Sequence, residues 1–157
     1  MTPCIVGVGE PMAGDDAVGI RVVDELSGTL GPGIELFRLR DPSELALLLP
    51  GRDRALVIDA RLDPERAGRV DLLEIPPGGL PRGTFGSPLS SHGVDALAAI
   101  ELGRTLAANE PFPRVSLLAV AIARPDRLGE GLSVAASRAV EEAAIRARAW
   151  ANEVRDA

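Results

Sequence analysis

The sequence predicts an α/β protein: a single three-layer domain spanning 1–157, with a mostly parallel twisted sheet of about five strands, helices on both faces and one antiparallel edge strand. Three observations predict it. Short apolar runs alternate with segments of helical spacing from end to end. One run, Arg54–Asp59 (RALVID), is apolar enough to be buried on both faces, as an interior parallel strand must be. Another, Arg69–Ile75 (RVDLLEI), follows after only about ten residues, too few for a crossover helix, so it should pair antiparallel at an edge.

Taken in order, Cys4–Val8 is an apolar run stopped by Gly9, the first strand. Helical spacing then runs from Asp16 to Leu26 through Val18, Val22, Val23 and Leu26. After the Gly31-Pro32-Gly33 turn, Ile34–Leu39 reads as the second strand. Pro42–Leu49 reads as a short helix, with Asp41 as N-cap and Pro42 at the first helical position. Beyond the third and fourth strands, Pro76–Pro88 (PPGGLPRGTFGSP) is a glycine- and proline-rich loop long enough to point to function. A helix from Ser91 to Ala108 capped by Ser90 or Ser91, a strand Arg114–Ile122 and a last helix Val134–Val154 complete the chain.

Composition removes several chemistries. All 17 basic residues are arginine, so Schiff-base chemistry, pyridoxal phosphate and the P-loop are excluded for want of a lysine. A formal net charge of −6 argues against a nucleic-acid partner. One cysteine allows neither an intramolecular disulfide nor a thiolate metal cage; Cys4, inside the first strand, should be a small buried apolar group. The start, MTPCIVGVGEPMAGDD, lacks a basic flank, and no stretch approaches the roughly 18 apolar residues of a membrane span. The expectation is a cytoplasmic protein with no membrane contact. Trp150, in the last helix, should serve packing.

Gly7-Val8-Gly9, after the first strand, invites a dinucleotide-binding reading. That motif needs G-x-G-x-x-G so that backbone amides can approach a pyrophosphate at the helix N-terminus. Here Met12 takes the third glycine position, and Asp15 and Asp16 would repel the anion. Arg38 and Arg40 could accept a 2′-phosphate, which keeps an NADP-binding enzyme as the weaker alternative. An acidic pair suits a cation better. Asp15 taken alone reads as an N-cap.

Asp16 follows the first strand and Asp59 ends the third, so both should lie on the edge where parallel strands end and ligands bind. His92, the sole histidine, opens the helix after the long loop and should face the same edge. Two carboxylates and a neutral imidazole suit nickel or zinc. The plainer alternatives are a strand-end carboxylate bonding backbone amides and a histidine facing water. No G-x-S-x-G elbow is present, and the adjacency of Ser91 and His92 is not evidence of a nucleophile–base pair.

These residues carry a resemblance. IVGVGEPMAGDDAVGIRVVDEL, LVIDA, SSHGVDALAAIELGRTL and GEGLSVAASRAV fall in the order seen in the hydrogenase maturation endopeptidases, which the chain resembles over nearly its whole length. The resemblance implies an endopeptidase that removes the C-terminal extension of a nickel-loaded hydrogenase large-subunit precursor. It makes Asp16, Asp59 and His92 the catalytic, metal-contacting residues. It also implies no tightly bound cofactor, the nickel arriving with the precursor, and a monomer or weak homo-oligomer. The chain departs from the family pattern at Glu10, where Asn is usual, at Ala17, where Gly is common, and at Ala123-Arg124-Pro125. It departs most in the Arg38 to Leu45 segment (RLRDPSEL), where a Gly-Gly turn is usual. That segment motivates the main alternative, a non-proteolytic metal-sensing or partner-binding protein on the same scaffold.

Overall fold

A computed structural model of the protein describes residues 2–81, 95–123 and 131–157. Five strands, β1 (Cys4–Val8), β2 (Glu35–Leu39), β3 (Arg54–Leu62), β4 (Val70–Ile75) and β5 (Arg114–Ile122), form a sheet in the order β2-β1-β3-β5-β4. β4 is antiparallel to β5; the other pairings are parallel. The short link between β3 and β4 thus does what its length dictated.

Side chains alternate across the sheet and so build two apolar layers. Ile5, Leu56, Ile58, Leu118 and Val120 meet α1 (Val18–Leu26) and α4 (Val134–Asp156) on one face. Val6, Val57, Val115 and Leu117 meet α2 (Leu45–Leu48) and α3 (Ala96–Leu106) on the other. Trp150 is buried in the first layer, a packing residue as expected. Among the described residues, no helix is long and apolar enough to cross a membrane.

Several boundaries differ from the sequence reading, each for a local reason. The first helix is preceded by a separate 3-10 turn, Gly14–Ala17. Pro42–Glu44 is also 3-10, with α2 following, and Asp41 caps it by accepting from the Ser43 amide at 2.9 Å. β3 continues past Asp59 to Leu62 because β5 stays paired with it through Leu62↔Ile122. α3 begins at Ala96, not Ser91: the Asp95 carboxylate accepts from the Ala98 amide at 2.8 Å and caps the helix there. Ser90, Ser91 and His92 lie outside the described residues, as does the end of the Pro76–Pro88 loop. α4 runs on to Asp156.

Two glycines set how closely α1 lies on the sheet. A Cβ on Gly19 would fall deep inside the carbonyl oxygens of Val8 and Ile58, and one on Gly7 inside the carbonyl oxygen of Gly19. Backbone therefore packs on backbone, with no side chain between. Gly19→Ala should destabilise the protein by at least about 3 kcal/mol, since neither strand can retreat without breaking its ladder. Urea unfolding would measure this; a loss below about 1 kcal/mol would show that the contact relaxes freely.

Candidate active site

The β1–α1–β2 connection lies on one face of the sheet and the β2–α2–β3 connection on the other. The chain changes side between the neighbours β1 and β3, so a crevice opens beyond their carboxyl ends. β1 pairs with β3 only as far as Gly7↔Ile58, whereas β5 continues alongside. Asp59 is the first β3 residue beyond the β1 pairing, and by alternation it shares the face of Ala55 and Val57, the α3 side. Asp16 sits in the 3-10 turn that follows β1. The two carboxylates flank the switch point.

The two carboxylates interact electrostatically. Burial, then the Asp16 carboxylate, hold the Asp59 carboxyl well above the usual range; Asp95 pushes it further up, against a lowering by the Ala60 amide. That amide donates to Asp59 Oδ1 at 2.8 Å. The Asp95 carboxylate, the cap of α3, adds the smallest of these pushes. Asp16 Oδ2 accepts from the Glu10 amide at 3.4 Å.

Asp15 caps neither the turn nor α1; those caps are Ala13 and Ala17, and neither makes a side-chain capping bond. Asp15 is instead buried, 8% exposed, and its two oxygens accept from the Ser133 amide and hydroxyl, each at 2.7 Å. Ser133 Oγ in turn accepts from the Ala136 amide and caps α4. The carboxylate therefore sits at the positive end of the longest helix, which stabilises its charge. Neighbouring aspartates divide the work: Asp15 ties two elements together while Asp16 accepts from the Glu10 amide in the turn after β1.

The glycines of the apparent nucleotide motif have packing reasons. Gly7 admits α1, and a Cβ on Gly9 would collide with the Asp16 carbonyl oxygen. Both arginines that could have met a 2′-phosphate are engaged, Arg38 with Asp24 at 2.7 Å and Arg40 with Glu10 at 2.8 Å. Cys4 is fully buried as expected, and burial pushes its thiol up to about 11, which leaves it unreactive.

His92, the third member of the expected set, lies outside the described residues, three positions before Asp95 in the sequence. Among the described residues, no three His, Cys, Asp or Glu side chains stand together as a metal-holding group. Two features of the rim escaped the sequence reading. Asp95 stands just before the apolar run ALAAIEL, a capping signal that the reading from Ser90 or Ser91 passed over. The Glu10–Arg40 pair joins residues 30 apart, which no local pattern reveals.

The fold is that of the maturation endopeptidases. The hydrogenase maturating endopeptidase HybD of E. coli superposes with a TM-score of 0.76 at 23% identity, over 98% of this chain and 94% of that one. A [NiFe] hydrogenase maturation protease from Thermococcus kodakarensis gives 0.68 at 20% identity, over 96% and 99%. The hydrogenase 2 maturation peptidase from Thaumarchaeota archaeon SCGC_AB-539-E09 gives 0.61 at 21%, over 98% and 97%. No family model and no curated protein matches the sequence.

Asp15→Ala should cost about 3 kcal/mol in urea unfolding, since it removes a buried carboxylate and strips two charge-assisted bonds from Ser133 at the start of α4. A loss under 1 kcal/mol would mean that water replaces the carboxylate. Asp59→Asn should act in the opposite direction. The folded protein holds the Asp59 proton where the unfolded chain, with an ordinary pKa of about 3.9, has released it. The contribution of that carboxyl to stability is therefore present below about pH 4 and lost as pH rises through the raised folded value. Asn carries no charge, so the variant should melt higher than wild type at pH 7–8, with the gain vanishing near pH 4. A pH-independent difference in Tm would contradict this origin.

Proposed function

We propose that the protein is an endopeptidase that removes the C-terminal extension of a nickel-loaded hydrogenase large-subunit precursor, in the cytoplasm. The observation that carries this reading is the Asp16–Asp59 pair at the β1/β3 switch point, on the fold of proteases that bear that name. Two carboxylates that raise each other's energy form a site that favours an incoming divalent cation. His92 would add the imidazole that biases such a site towards a borderline metal. The protein needs no tightly held metal of its own: the substrate's nickel completes the site and sets the scissile peptide bond beside it. A precursor without nickel leaves the acids facing one another and is held poorly. Hydrolysis adds water across that bond and releases the extension as a free peptide.

A second reading, binding without cleavage, rests on the Arg40–Glu10 pair at the rim. A charged pair there narrows the room for a peptide backbone.

Incubation of the protein with nickel-loaded and nickel-free precursor decides between them. Mass spectrometry should show trimming of the loaded form alone. Equal trimming of both would remove metal recognition, and tight binding without a mass change would establish the second reading. His92→Ala and Asp16→Ala should each abolish trimming, and His92→Ala should leave stability within about 0.5 kcal/mol of wild type. A His92→Ala protein that trims at the wild-type rate would remove the imidazole from the site.

A further inference from the structure

The Arg40 guanidinium reaches across from the end of β2 to the loop after β1. Its Nη2 lies 2.8 and 3.0 Å from the two Glu10 oxygens and its Nε 3.2 Å from Oε2. The register explains the meeting: Val8 pairs with Leu39, and the Gly9 amide adds one further rung by donating to the Leu39 carbonyl at 3.0 Å. The next residue on each strand is Glu10 or Arg40. Glu10 also makes several bonds within its own loop. Its amide donates to Asp16 Oδ2, its carbonyl accepts from the Ala13 amide at 3.1 Å, and its carboxylate accepts from the Met12 amide at 3.5 Å. Pro11 behind it confines its backbone to extended conformations.

We propose that Arg40 and Glu10 are positioning residues: the ion pair fixes the 9–16 loop so that the Glu10 amide holds the Asp16 carboxylate towards Asp59. Stability is not the purpose of the pair. Arg40 is 70% exposed and Glu10 38%, and exposed pairs contribute little to folding. The consequence falls on the orientation of one carboxylate. The inference rests on the proposed function only in taking Asp16 as a residue of the site, and its mechanical half is testable without any substrate.

Two measurements separate the two. Amide hydrogen exchange, read by NMR on the metal-free protein, reports the link itself. The Glu10 amide should exchange slowly in wild type, about fivefold faster in Arg40→Ala, and near the wild-type rate in Arg40→Lys, which keeps the charge. Cadmium titration by calorimetry reports the consequence. Arg40→Ala and Glu10→Gln should bind Cd2+ about threefold to fivefold more weakly than wild type, with Tm unchanged, and the exchanged pair Glu10→Arg/Arg40→Glu should recover most of the affinity. Unchanged exchange at Glu10 in Arg40→Ala overturns the inference, whatever the cadmium result. So does an exchanged pair as defective as Arg40→Ala. Wild-type protein that binds no Cd2+, or binds it equally well as Asp59→Asn, overturns the site reading instead, and the exchange rates still judge the link.

Discussion

Backbone-to-backbone contact between β1 and α1 is the constraint from which the site follows. With Gly7 facing Gly19, the helix sits against the strand as closely as main chain permits, and its first turn touches the carbonyls of both Val8 and Ile58. The segment between strand and helix must then turn within a few residues, and Gly9 lets it fold back onto Asp16. A helix set farther out by side chains would carry Asp16 away from β3. The glycines that resemble a phosphate cradle serve instead to let backbone pack on backbone at Gly19 and Asp16.

The strand that carries Asp59 has a stiff surround. β3 projects beyond β1, and its projecting end is anchored by Arg61, 5% exposed, which pairs with Asp63 at 2.7 Å and Asp71 at 3.4 Å. A buried guanidinium with two acidic partners ties the overhang to β4, because moving the strand away would leave that charge buried without compensation. Asp59 is thereby held on a rigid strand with one side supported by β5 and the other open to the crevice.

Much of this was legible in the sequence, and the failures have physical causes. The strands were readable because each is a short apolar run with a clear stop, and the antiparallel edge because ten residues cannot make a crossover. Asp16 and Asp59 could be placed on one edge because parallel strands end together. Asp15 was misread because helix capping is a local rule, whereas its partner Ser133 lies 118 residues away. The α3 boundary shifted because the reading placed the cap at Ser90 or Ser91 and passed over Asp95, whose carboxylate accepts from the Ala98 amide. The length of β3 depended on β5, which no reading of β3 alone contains.

The partnership of Asp15 and Ser133 has a consequence that reaches far along the chain. α4 has 23 residues and so extends about 34 Å, with a seam of Ala136, Ala139, Ala143, Ala147 and Ala151 laid on the sheet. It is clamped at the crevice end by Asp15, and farther along Arg148 reaches Thr29 and the Glu25 carbonyl. A rod fastened at two points and bedded on methyl groups tilts as one piece. A bulkier residue in the alanine seam, remote from any chemistry, would lift the rod and pull on the turn that bears Asp16. Variation in that seam would therefore disturb the far end of the helix and the Asp15 clamp together.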